Sequence, residues 1–264
     1  RDPEGVHKMR TATRQLRTVL QVLESAPVFD PQRLRGLRRD LAQLAHVLGE
    51  ARDLDVLGLH LDEFCRAQPW AEADLQAFRE QIRRARSQAQ RALREESVSP
   101  RVRKCLLELD RLAARGPKRQ EGQEELLVRH FAGGAIWQRY QAILAHEREM
   151  PEATAPTLHQ VRIACKQLRY TLELFQDALG PESDAMLELV IGAQDHLGAL
   201  QDHITALARS AAVQREHRNN AALAAYTAAR ATDRDRLQAA FIPLWIRLTG
   251  HETRQRLSSL IAIL

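Results

Sequence analysis

Apolar residues recur every three or four positions along nearly the whole chain of 264 residues. This spacing places them on one face of an α-helix, and no segment shows the sustained alternation that is typical of a β-strand. The 12 glycines and 10 prolines fall between long runs of leucine, alanine, arginine and glutamine, which are strong helix formers. The pattern therefore predicts an all-α protein made of antiparallel helical hairpins.

Breaks in this pattern divide the chain into ten predicted helices. Asp30-Pro31 and Ser99-Pro100 each join an N-cap residue to a proline at the first helical position, and Gly116-Pro117 and Gly180-Pro181 are typical helix stops. We predict helices over about 4–25, 31–49, 53–67, 71–96, 100–115, 121–148, 156–179, 182–199, 201–230 and 233–262.

The composition excludes several classes of protein. An apolar fraction of 44% is enough for a sizeable core, and no stretch approaches the ~20 apolar residues of a membrane-spanning helix. The first residues lack the pattern of a signal peptide. Cys65, Cys105 and Cys165 are far apart at apolar positions of the helical pattern, so we expect buried free thiols and a cytoplasmic location.

One segment occurs twice. Residues 6–20 align without a gap with residues 158–172, and seven of the fifteen positions are identical. A second, weaker repeat follows each copy, at 48–53 and 197–202. These repeats predict an internal duplication. We expect two pseudo-symmetric antiparallel helical bundles, residues 1–150 and 151–264, that form one compact domain over 1–264.

Each copy of the repeated helix carries a stripe of cations. On a helical wheel the basic residues of one copy fall within about 80° of each other, and Leu16 and Leu20 lie on the opposite face. No acidic residue occurs over 5–23 or over 153–172. The two cationic stripes are His7, Arg10, Arg14 and Arg17, and His159, Arg162, Lys166 and Arg169.

An acid-free stripe indicates counter-charge from elsewhere, because like charges three or four positions apart repel. In one interpretation Asp53, Asp55 and Asp202 neutralise the stripes within the protein. In the other, an external anion does so. Arginine forks and hydroxyls such as Thr18 and Tyr170 suit phosphate oxygens. Four cations along about 15 Å of helix suit a linear polyanion better than one small phosphate.

The net charge of +5 would not by itself indicate such a partner. The excess is confined to the first half, since residues 1–150 hold 27 cations and 22 anions and residues 151–264 hold 12 of each. Of the 39 cations, 35 are arginines. The placement of the cations, and not their number, therefore carries the prediction.

The paired His-x2-Arg-x3-Arg/Lys-x2-Arg helices resemble those of the CHAD family, the conserved histidine α-helical domain. Residues 48–56 (Leu-Gly-x-x-Arg-Asp-Leu-Asp-Val) and 168–175 (Leu-Arg-Tyr-x-Leu-Glu-Leu-Phe) strengthen the resemblance. It implies a non-catalytic module that binds inorganic polyphosphate in a central basic groove or pore. The implied binding residues are the two cationic stripes with Lys8 and Tyr170, and a second tier formed by Arg35, Arg38, Arg39 and Arg52.

The resemblance also implies partners. Members of the family often follow a CYTH (triphosphate tunnel) domain in a longer chain or associate with polyphosphate granules, and no CYTH-like segment occurs in this sequence. The segment 182–196, which precedes the weaker repeat at 197–202, has no lysine or arginine. We therefore expect the second half to contribute less to binding.

A metal site is one alternative, since His196 and His203 recur seven positions apart beside Asp195 and Asp202. They would share a helix face only if one helix continued through Gly198. The stripe histidines lie among cations, which repel a metal ion, and we predict no metal and no cofactor. Those cations also favour neutral imidazole, so we predict that polyanion binding takes up protons near neutral pH.

A catalytic role is a second alternative. The sequence has no glycine-rich phosphate loop, no G-x-S-x-G and no H-E-x-x-H. Asp53 and Asp55 form a conceivable Mg²⁺ pair, but Asp53 follows Gly49 closely and suits the N-cap of a new helix. We predict that the protein is not an enzyme.

Two binding alternatives remain. Single-strand nucleic-acid binders place aromatic side chains along a basic groove, and Tyr170 alone qualifies here, so we do not favour a nucleic-acid partner. Residues 71–96 are amphipathic and rich in arginine, which suits either a protein-binding face or an ordinary solvated helix, and the solvated helix is the preferred interpretation.

Overall fold

The fold, taken from a computed structural model, is all-α as predicted. The structure describes residues 3–24, 26, 29–116, 127–216 and 219–264, without the side chains of residues 3, 4, 7 and 216. These ranges contain no β-strand and ten α-helices: α1 (Pro3–Leu23), α2 (Pro31–Ala67), α3 (Glu72–Ser97), α4 (Pro100–Arg115), α5 (Ala132–Leu144), α6 (Ala155–Leu174), α7 (Gln176–Leu179), α8 (Asp184–Glu216), α9 (Ala221–Thr249) and α10 (His251–Ile263).

Several helix ends follow directly from local chemistry. The side chain of Asp30 accepts a hydrogen bond from the Gln32 amide at the start of α2, and Ser99 accepts one from the Val102 amide at the start of α4. Gly116 ends α4 with φ at 61°, a left-handed conformation that glycine adopts without strain. These three boundaries confirm the sequence prediction.

Two predicted breaks are wrong, because α2 and α8 run without interruption through Gly49 and Gly198. A glycine inside a helix costs only about 1 kcal/mol relative to alanine. Burial of Leu48 and Leu54 on either side of Gly49 outweighs that cost. Asp53 therefore lies inside α2 and is not an N-cap.

The predicted boundary between 230 and 233 is also wrong. The helix α9 continues to Thr249, and the breaks fall instead at Asn220, which caps the start of α9, and at Gly250. A Cβ atom at Gly250 would lie 2.8 Å from the Ile246 carbonyl oxygen, so the close turn into α10 requires glycine. The predicted helix over 121–148 falls partly outside the described residues. Within its described part, 127–148, the α-helix covers only Ala132–Leu144.

The helices pack so that the repeated segments meet. Helix α1 lies along α2, α6 lies between α5 and α8, and α1 also contacts α6. The largest buried cluster draws on α5, α6, α8, α9 and α10. A second cluster joins Leu57 and Leu61 of α2 to Val213 of α8 and Tyr226 of α9, so the two sequence halves share buried contacts.

The α6 helix buries Val161, Cys165 and Leu168 completely. Its opposite side, with Arg162 and Lys166, is therefore left to face α1. The three cysteines are free and buried, as the sequence predicts. No helix in the described part of the chain is both long enough and apolar enough to cross a membrane.

Candidate functional site

The cationic stripes of α1 and α6 line a common cavity of about 460 Å³, which we term the first cavity. Its charged lining residues are all basic, and the described lining contains no acid. Arginine, hydroxyl and amide donors therefore face one another across the gap between α1 and α6. The lining residues are Arg14, Arg17, Thr18, Gln21, Arg38, His159, Arg162, Ile163, Lys166, Gln167 and Tyr170.

A second cavity of about 390 Å³ adjoins the first, because Arg14, Arg162 and Lys166 line both. Unlike the first, it mixes signs. The other charged residues of its lining are Arg10, Arg52, Asp53, Asp195 and Asp202.

Six basic residues of these cavities, Arg52 of α2 and five residues of the two stripes, have no partner within the described structure. We call Arg10, Arg14, Arg17, Arg162 and Lys166 the cavity cations. Their side chains make no hydrogen bond and no ion pair within 4.0 Å with any described residue. Many outer arginines, in contrast, are paired, for example with Glu108, Asp62, Asp55, Glu96 and Glu147.

Burial and mutual repulsion disfavour the charged forms of the cavity cations. Burial, followed by the charge of Arg14, lowers the pKa of Arg10 to about 10 and also lowers the pKa of Arg162. Burial, followed by the charges of Arg162, Arg14 and Arg10, lowers the pKa of Lys166 to about 6. Arg10 is therefore charged at pH 7, whereas the Lys166 amine is mostly neutral.

The cavity cations also present unused hydrogen-bond donors. The Nε atoms of Arg17 and Arg162 are buried, and neither has an acceptor in the described structure. A buried donor without an acceptor costs roughly 1–3 kcal/mol. An anion that entered the cavities would recover this energy.

The three acids that could neutralise the stripes are placed differently. Asp55 forms an ion pair with Arg86 of α3 at 2.5 Å and lines neither cavity. Asp53 and Asp202 line the second cavity, without an ion pair within 4.0 Å. The charge of Asp53 opposes the lowering of the pKa of Arg10, and the charges of both acids oppose the lowering of the pKa of Arg162. Burial raises the pKa of Asp202. The described lining of the first cavity therefore contains no acid, whereas that of the second contains three.

Of the two stripe histidines, the structure describes one side chain. His159 lines the first cavity, and its Nδ1 donates a hydrogen bond to Oε1 of Gln201 at 2.9 Å. The other ring nitrogen, Nε2, makes no hydrogen bond with a described residue and can bind a ligand. The side chain of His7 lies outside the described residues.

The remaining predicted binding residues divide into two groups. Arg38 and Tyr170 line the first cavity and Arg52 the second, with Arg38 paired to Glu24 at 3.0 Å. The other predicted residues line neither cavity: Lys8, Arg35 and Arg39 are exposed, and Arg169 donates from Nε to Glu173 at 2.7 Å.

Sequence reasoning missed the amides Gln21 and Gln167 in the first cavity. It also missed Arg139 of α5, which interacts electrostatically with the cavity residue Arg38. Arg139 is only 9% exposed, its Nε has no described acceptor, and burial lowers its pKa, followed by the charge of Arg38. The signal was present in the sequence. Arg139 shares a helix face with Ile136 and Ile143, where a cation is unexpected.

The histidines that suggested a metal site have other contacts. Nε2 of His196 donates to the Leu237 carbonyl oxygen at 2.6 Å, and the ring of His203 stacks on that of His60 with centroids 5.0 Å apart. Among the residues that the structure describes, no three histidine, cysteine or acidic side chains are grouped as metal ligands would be.

Two curated relatives are similar in sequence. Uncharacterized protein MT2285 and Uncharacterized protein Rv2226, from two strains of Mycobacterium tuberculosis, are each 30% identical to the chain over 237 residues. The match covers 85% of this chain but 42% of either relative. The chain thus spans less than half the length of these relatives.

Two solved structures share the fold. The CHAD domain from the plant Ricinus communis superposes with a TM-score of 0.65 at 23% identity, over 91% of this chain and 82% of that one. PptA from Streptomyces chartreusis superposes with a TM-score of 0.71 at 20% identity, over 93% and 89% of the two chains. Likeness at these identities shows a common fold only.

The sequence of this chain matches the CHAD domain over residues 1–211, from the start of α1 to the last turns of α8. The match includes every residue that lines the two cavities. Together with the shared fold, it shows that the chain belongs to the CHAD domain family.

Proposed function

We propose that this protein is a binding module for inorganic polyphosphate, held between α1 and α6. The observation that carries the proposal is the set of five cavity cations without a described partner, around two joined cavities. Buried like charges destabilise a fold unless something compensates them. A polyanion in the cavities supplies that compensation.

The arrangement suits a linear chain of phosphates better than a single anion. Arg10 and Arg17 are seven residues apart, which is about 10 Å along α1, and the facing donors of α6 share both cavities. Each arginine offers several N–H groups in fixed geometry to phosphate oxygens. Successive phosphates would therefore meet successive guanidinium groups.

The lining favours polyphosphate over single-stranded nucleic acid as the ligand. Tyr170 is the one Phe, Tyr or Trp side chain among the described lining residues, and it is 8% exposed. Base stacking on aromatic rings supplies much of the affinity of single-strand binders. Nucleic-acid bases would therefore have few aromatic rings to stack on in these cavities.

Competition tests this proposal. We expect polyphosphate to bind with marked salt dependence and to displace a fluorescent single-stranded oligonucleotide at far lower phosphate concentration than unlabelled single-stranded DNA requires. Fluorescence anisotropy at two salt concentrations measures both. If unlabelled DNA displaced the oligonucleotide at the same phosphate concentration as polyphosphate, the protein would be a general polyanion binder.

We also propose that binding occurs without catalysis. The alternative is a Mg²⁺-dependent phosphohydrolase, because the carboxylates of Asp53 and Asp202 both line the second cavity and could bind Mg²⁺ there. Incubation of the protein with polyphosphate and Mg²⁺ should release no inorganic phosphate. Release that Asp53→Asn abolished would establish the enzyme instead.

Binding should take up protons, with Lys166 as the main acceptor. Its amine has a pKa of about 6 in the free protein, and an adjacent phosphate favours the charged form. The affinity should therefore rise as the pH falls from 8 towards 6 and level off below 6, where Lys166 is already charged. Calorimetry in buffers of different ionisation enthalpy measures the uptake.

Lys166→Arg is the matched variant for this prediction, because arginine is charged before and after binding. It should bind polyphosphate with markedly less proton uptake. His159→Ala measures the separate share of the histidine. Undiminished uptake in Lys166→Arg would assign the protons to other groups.

We further propose that the module works in the cytoplasm, with polyphosphate granules as one place of action. The curated relatives are more than twice as long as the matched segment. This length leaves room for a partner domain of the CYTH type in a longer chain.

A further inference from the structure

Lys166 differs chemically from every other cation of the two cavities. Of the lysines in the described part of the chain, Lys166 is the one that lines both cavities, while the other cavity cations are arginines. Its side chain is half-buried at the place where the cavities join. An amine nitrogen is a nucleophile once it has lost its proton, whereas a guanidinium is not.

The surroundings of Lys166 keep the amine in its neutral form. Its side chain makes no ion pair or hydrogen bond within the described residues. Arg10, Arg14 and Arg162 disfavour an additional positive charge there, and the carboxylate of Asp202 opposes them only weakly. With a pKa of about 6, most Lys166 side chains carry a free lone pair at pH 7.

The same surroundings would stabilise a negative charge at this position. Three guanidinium groups act on the Lys166 nitrogen, and the Nε–H of Arg162 is buried without an acceptor. An anionic group on Nζ would replace mutual repulsion by attraction and would supply oxygens to unused donors.

We propose that Lys166 is a carbamylation site, at which the neutral Nζ amine combines with dissolved CO₂. The nitrogen lone pair forms a bond to the carbon of CO₂, and one C=O π pair moves to its oxygen. The nitrogen then loses a proton to water. The product is an N-carboxylate of charge −1, no other reactant is needed, and nothing is oxidised or reduced.

Carbamylation would oppose polyphosphate binding, and this consequence alone rests on the proposed function. The carbamate places a negative charge in the lining that Lys166 shares with Arg14 and Arg162, where the phosphate chain would lie. If half of the molecules carried it, the apparent Kd for polyphosphate would rise about twofold, because only the unmodified half is competent to bind. The affinity for polyphosphate would thereby fall as the CO₂ concentration rises.

The experiment uses the full chain and ¹³C-labelled bicarbonate at pH 7.5. We expect a carbamate carbon resonance in the wild type and in Lys104→Arg, a control at an exposed lysine of α4, and its loss in Lys166→Arg. Trapping with a trialkyloxonium reagent, followed by peptide mass spectrometry, should place the modification on Lys166. Equal spectra of wild type and Lys166→Arg, or trapping only at other amines, would overturn the proposal.

Addition of polyphosphate separates the two proposals. Loss of the Lys166 carbamate signal on saturation supports competition, and a signal that persists beside bound polyphosphate overturns it. If polyphosphate does not bind at all, the proposed function fails. The carbamate is then still decided by the spectra taken without polyphosphate.

Discussion

Reversal of two charges, Arg14→Glu with Arg162→Glu, should weaken polyphosphate binding at least about a hundredfold. Both residues line both cavities, and neither has a described ion-pair partner. Hydrogen bonds to charged groups contribute about 1.5–3 kcal/mol each. Without two such hydrogen bonds, binding is weaker by about 3 kcal/mol or more, and each tenfold change in Kd corresponds to about 1.4 kcal/mol. The salt dependence should also become flatter, by roughly 0.7 in log–log slope for each phosphate that the variant no longer neutralises.

Arg91→Glu with Arg94→Glu is the matched control, since both arginines are exposed on α3 and the net charge changes equally. It should change the affinity far less. Calorimetry at two salt concentrations, with circular dichroism to check folding, makes the comparison. If both double variants weakened binding equally, long-range charge and not the cavities would attract the polyanion.

The absence of acids over 5–23 and 153–172 was enough to predict most of the candidate site. Cations without acids among them need counter-charge from elsewhere, and the structure brings Arg14 and Arg17 of α1 to the same cavity as Arg162 and Lys166 of α6. Helical periodicity likewise fixes the class of fold, because it decides which side of each helix is buried.

The long-range details could not be predicted in this way. Whether α2 passes through Gly49 depends on burial of Leu48 and Leu54 against other helices, which outweighs local propensity. Arg169 shares the spacing of the stripe but pairs with Glu173 four residues later. Arg139 reaches the neighbourhood of Arg38 from α5, and no repeat or motif connects those two positions.

The desolvation of Lys166 is a property of the assembled helices alone. In the sequence it is one cation among four in its stripe, whereas in the structure two helices and three arginines surround it. A site arranged in this way favours ligand binding at the expense of the stability of the empty protein. Removal of one cavity cation should therefore stabilise the empty fold.

The effect of pH on stability gives the second large prediction. The pKa of Lys166 is about 6 in the folded protein, against 10.5 for an ordinary lysine. Between these values the unfolded chain binds a proton that the folded protein does not, so the free energy of unfolding rises with pH by up to about 1.4 kcal/mol per unit. Lys166→Met removes this contribution. From pH 7 to pH 9 the wild type should therefore gain stability relative to Lys166→Met, by on the order of 2–3 kcal/mol.

Urea unfolding in CO₂-free buffers measures this difference. Urea is chosen because it adds no ions that would screen the charges of the cavity. The buffers are CO₂-free so that Lys166 cannot form a carbamate. The comparison between variants cancels the titration of groups that both proteins share. Lys104→Met removes an exposed lysine of α4, and its stability should follow the wild type across the pH range. If Lys166→Met also followed the wild type, Lys166 would be charged in the folded protein. The cavities would then hold an additional compensating group, and both the proton uptake on binding and the carbamate would lose their chemical basis.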